Sequence, residues 1–161
     1  MSRLRGISVL IIIMISAAIF GSTASAAEAG AGEEKTVGTI GGTVFLDADA
    51  NGVQGPEEWG MSGVTVHLRN AGGERVSTAE TFSHACTGLY IFSGVPPGNY
   101  TVEVVPPEGY AFTVPGRGAP GETASTVDPA SGTTTVINLT PALIRETDLV
   151  VRDAGLVPAE G

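Results

Sequence analysis

The chain has 161 residues, 42% of them hydrophobic, and a formal net charge of −9 because 17 Asp and Glu outnumber 8 Lys and Arg. A surface this acidic repels nucleic acid and anionic lipid, which argues against both as partners, and attracts divalent cations. Cys86 is the only cysteine, so no intramolecular disulfide can form and stability must come from a hydrophobic core or from bound metal.

Residues 1–26 are predicted to be a secretory signal peptide. Arg3 and Arg5 precede an apolar run at 7–20, and Ala-Ser-Ala follows at 24–26. The apolar run is shorter than the ~20 residues that cross a bilayer, so we expect cleavage after Ala26 and a secreted protein rather than a retained anchor. The next segment, 27–37, is small and acidic and is predicted to be a flexible leader.

An acidic stretch at 47–58, DADANGVQGPEE, matches the spacing D-x-[DN]-x-[DN]-G-x5-E at every fixed position. In such a loop alternate side chains point inwards, the glycine permits a sharp turn and a late carboxylate closes the shell around Ca²⁺. The predicted ligands are the side chains of Asp47, Asp49, Asn51 and Glu58 with the carbonyl of Val53. The alternative is an acidic turn whose carboxylates face water.

The residues that flank this loop and those that follow it alternate with a period of two. In GVTVHLRN, Val64, Val66 and Leu68 fall on one face, which is typical of a half-buried strand. Further strands are predicted near 43–46, 75–82, 89–92, 100–104, 111–114, 134–139 and 148–152. Turn-forming stretches separate them, and no helical stripe of useful length occurs. Seven or eight short strands favour an all-β sandwich, in which 115–132 is expected to be a long surface crossover.

Four segments carry a resemblance to a known family. They are GGTVFLDADANGVQGPEEWGMSGVTVHLRNAGG, GLYIFSGVPPGNYTVEVVPPEGY, STVDPASGTTTVINLT and ETDLVVRDAGLV. In this order and spacing the chain resembles the SdrD B-like domain, a bacterial cell-surface B-repeat related to Cna-B domains, over residues 38–157, with 158–161 as a tail. The resemblance implies a prealbumin-like, Greek-key β-sandwich without enzymatic activity that acts as a structural or adhesive module at or outside the cell surface. The C-terminus shows no L-P-x-T-G-like signal, so wall anchoring is not expected.

The sequence departs from the family pattern at two positions. Gly55 stands where the family commonly offers a carboxylate or amide, which should weaken calcium binding. Ala85 stands at the aspartate position of a T-D-x-x-G-x-Y phrase, so a second cation site is not expected there. Cna-B domains often carry an internal isopeptide bond, but the only lysine after the signal peptide, Lys35, precedes the first predicted strand, so no such bond is expected.

The remaining reactive side chains give weaker indications. His84 and Cys86 lie two residues apart with no third orienting group, so catalysis is not expected and Cys86 is predicted to be a free thiol in a monomer. Asp128 is predicted to initiate a turn rather than to act as a distant ligand.

The aromatic residues distinguish a structural or adhesive module from a ligand-binding module. Tyr90, Tyr100 and Tyr110 are expected in the core, and Trp59 is expected to cover the calcium loop. If they instead formed an exposed row, the chain would be a secreted carbohydrate- or small-ligand-binding module. For either kind of module the expected partner is an extracellular protein or a cell-wall polysaccharide. The sequence does not identify it.

Overall fold

The computed structural model describes residues 35–83, 87–116 and 123–159, and these ranges contain nine strands and one short helix. The helix, α1, is Pro141–Glu146. The strands are β1 (Gly38–Leu46), β2 (Thr65–Asn70), β3 (Arg75–Glu80), β4 (Leu89–Val95), β5 (Gly98–Val105), β6 (Tyr110–Phe112), β7 (Ile137–Leu139), β8 (Val150–Val151) and β9 (Ala154–Pro158). No helix in the described ranges is long and apolar enough to cross a membrane.

The strands form two sheets. One has the order β4-β1-β9-β6, with β8 also pairing with β1, and the other has the order β3-β2-β5-β7. The chain passes repeatedly from one sheet to the other, since β1 and β4 belong to the first while β2, β3 and β5 belong to the second. This confirms the predicted all-β, prealbumin-like sandwich.

The core lies between the sheets and follows from the period-two pattern. Val66 of β2 is opposite Val104 of β5, and Leu68 is opposite Val102. All four side chains are 0–2% exposed. Burying an aliphatic side chain of this size contributes roughly 1.5–3 kcal/mol, so the alternation predicted from the sequence is also what stabilises the sandwich.

β1 begins at Gly38, well before the predicted strand start at Thr43. The prediction missed this part of the strand because its glycines contribute nothing to the period-two pattern. A Cβ on Gly42 would lie 1.9 Å from the Arg152 carbonyl oxygen, and one on Gly41 would lie 2.6 Å from that of Tyr90. The glycines therefore allow β4 and the chain between β8 and β9 to approach β1 closely.

Three other predictions differ from the structure. The stretch predicted as one strand at 148–152 is the two-residue β8, and β9 follows it after a break. A helix is present although none was predicted: Thr140 caps α1 by accepting the Leu143 N–H at 3.1 Å, and Pro141 opens it. Six residues are too few to show a helical stripe.

The third difference concerns the predicted surface crossover at 115–132, of which 117–122 lie outside the described residues. Ser125 and Val127 are each 1% exposed, and Ser125 pairs with Asp153 while Val127 pairs with Thr134. The second half of the crossover is therefore part of the packed structure, next to the acidic loop.

Candidate metal centre

The predicted calcium loop leaves the end of β1 and returns beside it. The Leu46 N–H donates to the Trp59 carbonyl at 3.0 Å, which closes the neck of the loop. Asp47, the first loop residue, donates its N–H to the Leu156 carbonyl of β9 at 2.8 Å. Main-chain hydrogen bonds thus fix where the loop begins and ends.

Asp47 is the buried member of the predicted ligand set, with 0% of its surface exposed. Its Oδ2 accepts hydrogen bonds from the Gly52 N–H at 2.7 Å and from Thr113 Oγ1 at 2.5 Å. Its Oδ1 accepts the Asn51 N–H at 3.1 Å. A buried carboxylate needs such donors, and these three fix the orientation of the side chain.

Asp49 and Asn51 form the exposed side of the loop. Asp49 accepts the Asn51 N–H through Oδ1 at 3.2 Å and the Asn51 side-chain amide through Oδ2 at 2.7 Å. Between them Ala50 has φ 57°, a left-handed conformation that an alanine rarely adopts. The chain therefore coils tightly here, and alternate side chains turn to the same side.

Glu58 closes the loop from its far end. Its Oε1 accepts the Ala48 N–H at 2.6 Å, and its Oε2 accepts the Gly55 N–H at 2.8 Å. The last carboxylate of the pattern is thus held against the first turn of the loop, although eleven positions separate it from Asp47 in the sequence.

Val53, the predicted carbonyl ligand, donates its own N–H to Asn51 Oδ1 at 2.7 Å. It forms an isolated antiparallel bridge with Ala124, in which the Ser125 N–H donates to the Gly52 carbonyl at 2.8 Å. The loop is therefore bonded to the second half of the crossover. The role of the Val53 carbonyl as a ligand stays a prediction.

The structure brings three carboxylates together. One oxygen from each of Asp47, Asp49 and Glu58 lies within 4.8 Å of the others, and Asn51 is hydrogen-bonded to the first two. The donor set is entirely oxygen, which suits Ca²⁺ and other hard cations and lacks the nitrogen and sulfur ligands that zinc and copper prefer. These residues fit a calcium ion.

Asp128 lies outside this cluster, as predicted. Its Oδ1 accepts the Ala130 N–H at 3.2 Å, and its Oδ2 accepts the Ser131 hydroxyl at 2.8 Å. The hydroxyl and then the amide hydrogen bond lower the pKa of the Asp128 carboxyl. The predicted turn role is confirmed.

The predictions for the tyrosines are confirmed, and the prediction for Trp59 is not. Tyr90 and Tyr100 are buried in the core, at 1% and 8% exposed, and Tyr110 packs partly buried against it. The prediction that Trp59 covers the loop is wrong, since its side chain is 76% exposed. Its neighbour Gly60 packs tightly, since a Cβ there would lie 1.9 Å from the Thr87 carbonyl oxygen.

Asp153 is a buried acid that no sequence pattern indicates. It occupies the break between β8 and β9, where its Oδ1 accepts the Thr43 N–H at 2.7 Å. The carboxylate thus replaces a main-chain acceptor in the pairing with β1. Burial raises its pKa to about 6, more than this hydrogen bond and the charge of Arg152 lower it. Nothing in the local sequence RDAG distinguishes it from a surface aspartate.

Lys35 lies in the part of the predicted leader that the structure describes. Its Nζ lies 3.0 Å from Asp148 Oδ1 and donates to the Thr147 carbonyl at 2.9 Å. The Asp148 side chain is fully exposed, so this is a surface ion pair worth little stability. The predictions for His84, Ala85 and Cys86 lie outside the described residues.

Comparison with known proteins gives the family. The family model of the SdrD B-like domain matches residues 38–156, and the chain belongs to this family. Serine-aspartate repeat-containing protein F of Staphylococcus epidermidis is 39% identical over 80 residues, which are 50% of this chain and 4% of that protein. Serine-aspartate repeat-containing protein D of Staphylococcus aureus strain Newman is 40% identical over 74 residues, 46% of this chain and 5% of that protein. The chain thus matches a small part of these much longer relatives.

Solved structures also align with the chain, at lower sequence identity. The Bacillus anthracis TIE protein aligns with a TM-score of 0.47 and 14% identity over 77% of this chain and 18% of that one. BcpA, the major pilin subunit of Bacillus cereus, aligns with a TM-score of 0.46 and 16% identity over 77% of this chain and 31% of that one.

Thr113 is the site residue that sequence reasoning missed. It falls within the predicted strand at 111–114, lies 66 positions from Asp47 and matches no ligand pattern. Its only signal is a polar side chain on an apolar strand, which many surface threonines share.

Proposed function

We propose that this chain is an exported, calcium-stabilised structural or adhesive module that works at or outside the bacterial cell surface. The observation that carries the proposal is the convergence of Asp47, Asp49 and Glu58 within 4.8 Å at the end of a sandwich strand. Membership of the SdrD B-like domain family supports a location at or outside the cell surface. Export predicts that N-terminal sequencing of protein from culture medium begins at Ala27; an intact Met1 in membranes would contradict it.

The energetic role of the cation follows from charge. Three carboxylates brought this close repel one another, so the folded loop is less stable without a cation between them. An ion that binds only the folded form stabilises it by about 2.7 kcal/mol when its concentration is a hundredfold above Kd. With glycine at position 55 we expect a Kd in the weak extracellular range, on the order of 10⁻⁵ to 10⁻³ M.

The mechanical role follows from where the loop is attached. It is bonded to β9 through Asp47 and Leu156, and to the crossover through Gly52 and Ser125. A cation that fixes the loop therefore stiffens one end of the sandwich, because the loop joins β9 to the crossover there. Such a module is suited to spacing or presenting a binding surface.

Terbium luminescence tests the site directly, because Tb³⁺ binds oxygen ligands as Ca²⁺ does and an adjacent indole sensitises its emission. Trp59 is the only tryptophan and follows Glu58 immediately. We expect emission on excitation of Trp59, its loss on adding excess Ca²⁺, and its loss in Glu58→Gln. Glu108→Gln, an exposed acid outside the cluster, is the matched control and should leave it unchanged. Equal emission from Glu58→Gln and wild type would contradict the assignment.

A secreted carbohydrate- or small-ligand-binding module is the second candidate, and the exposed Trp59 is the observation that favours it. A single exposed indole provides one stacking surface, whereas Tyr90 and Tyr100 are buried. Retention on insoluble polysaccharide that is lost in Trp59→Ala would support this candidate. Equal elution of wild type and Trp59→Ala from the polysaccharide would rule out this candidate.

A further inference from the structure

Thr113 connects the acidic loop to a distant part of the chain. It follows β6 directly, is 2% exposed, and its hydroxyl donates to Oδ2 of the fully buried Asp47 at 2.5 Å. Of the donors to Asp47 that the structure records, it is the one that comes from outside the loop.

The position of Thr113 is itself fixed. Its N–H donates to the Gly155 carbonyl of β9 at 3.1 Å. A Cβ on Gly155 would lie 2.5 Å from Thr113 Cγ2 and 3.0 Å from the ring of Phe45. The absence of a side chain at position 155 therefore creates the space in which the threonine methyl packs, and this packing aims the hydroxyl at Asp47.

β6 is the element most affected by this contact. It has three residues, lies at the edge of its sheet and pairs with β9, and none of its residues is fully buried. A short edge strand of this kind belongs to the parts of a protein that open locally at low free energy. A hydrogen bond from its end to a cation ligand makes that opening disturb the cation site.

We propose that Thr113 is a positioning residue of the cation site and that cation binding, through its hydroxyl, stabilises the pairing of β6 with β9. This inference rests on the proposed calcium site. The hydroxyl holds Asp47 Oδ2, so the carboxylate is oriented before the cation binds. Because linkage is reciprocal, a cation held by Asp47 opposes the separation of Thr113 from the loop.

Two variants separate the hydroxyl from the packing of the methyl. Thr113→Val keeps the shape and removes the donor, while Thr113→Ser keeps the donor and removes the methyl. Terbium titration of the full chain should give a Kd at least tenfold weaker for Thr113→Val, the usual lower limit for losing a partner of a metal ligand, and within about threefold of wild type for Thr113→Ser. A wild-type Kd in Thr113→Val, or an equal loss in both variants, would overturn the positioning role.

Hydrogen exchange at the Thr113 amide tests the coupling in the wild-type protein and needs no variant to fold. Saturating Ca²⁺ should slow this exchange at least tenfold relative to chelator, whereas the Gly73 amide, which donates to the Asn70 carbonyl in the turn between β2 and β3 and exchanges by local opening away from the loop, should change much less. Equal exchange at Thr113 with and without Ca²⁺ would overturn the coupling.

Failure of this inference differs from failure of the proposed function. If wild-type protein gives no sensitised terbium emission and no calcium competition, the cation site itself is absent and both proposals fall. If wild type binds and Thr113→Val binds equally well, only the role of Thr113 is overturned.

Discussion

Gly55 is the loop position at which one added side chain should tighten cation binding. Its φ is not left-handed, and a Cβ there would meet only the Glu58 side chain, at 3.6 Å or more. Gly55→Asp therefore adds a carboxylate beside the cluster without a steric clash. We expect a Kd for Ca²⁺ several-fold lower, since ligand charge count tunes such loops, and a lower melting temperature in chelator because the repulsion increases.

Calcium titration by calorimetry measures this change. Gly72→Asp adds the same charge in the turn between β2 and β3, where a Cβ meets only Asn70, and serves as the control. If Gly55→Asp and Gly72→Asp bind Ca²⁺ equally, position 55 does not face the cation.

Asp153 should make stability depend on pH. Its pKa is raised from 3.8 to about 6 in the folded protein, so the folded state binds the proton more tightly than the unfolded chain does. Its contribution to the free energy of unfolding is therefore largest below about pH 4 and is lost as the pH rises through 6. Over this pH range the free energy of unfolding falls by up to about 3 kcal/mol through this group.

Asp153→Asn keeps an oxygen for the Thr43 N–H and removes the charge. We expect it to be more stable than wild type at pH 8, by about 1–3 kcal/mol, and to show a smaller loss of stability between pH 5 and 8. Urea unfolding in chelator at both pH values measures this, with the exposed Asp148→Asn as the control. Parallel pH profiles for wild type and Asp153→Asn would contradict it.

The spacing of the acidic loop indicated that Asp47, Asp49 and Glu58 converge, and their carboxylates do lie together, because coiling over twelve residues is a local property. Their role as calcium ligands stays a prediction. It could not predict that Thr113 completes the environment of Asp47, or that Asp153 is buried. Both depend on how strands far apart in the sequence pack, which no local spacing records.

At the scale of elements, the attachment of the loop to the crossover depends on Gly52. Its φ is +80°, and a Cβ would lie 2.4 Å from the Val114 carbonyl oxygen and 2.6 Å from the Gly116 nitrogen. Gly52→Ala should lower the free energy of unfolding by more than the ~1–2 kcal/mol that a left-handed alanine costs, since backbone atoms must also move.

Gly73→Ala is the matched control, because Gly73 has φ +79° but nothing within 4 Å of its Cβ position. Denaturant unfolding of both variants in chelator separates the conformational term from the clash. Equal destabilisation by the two substitutions would show that the loop and the crossover are not in close contact.

Sequence patterns located the strands whose alternate residues reach the core, such as β2 and β5. They missed the glycine-rich start of β1 and all of β9, where Gly155 and Pro158 are poor strand formers. They also missed α1, which begins at a threonine cap and a proline and is too short for periodicity. The two strand segments exist because of tertiary contacts rather than local preference, whereas α1 has local start signals but too few residues to show a period.

At the scale of the whole molecule, the sandwich has a core of its own between the two sheets, so the cation adds to a fold that already has apolar stabilisation. We therefore expect the protein to fold in chelator and to become more stable in calcium. A cation that the fold strictly required would instead leave the chelated chain without a cooperative transition.

Calcium binding by the acidic loop can be measured as the difference between the melting temperature at a Ca²⁺ concentration a hundredfold above the titrated Kd and that in chelator. At that concentration wild-type protein should melt several degrees higher than in chelator, as expected for about 2.7 kcal/mol in a domain of this size. Asp47→Asn and Glu58→Gln should lose that difference, whereas Glu108→Gln should keep it. Superimposable wild-type melting curves in calcium and in chelator would contradict a calcium site and leave residues 47–58 as an acidic turn.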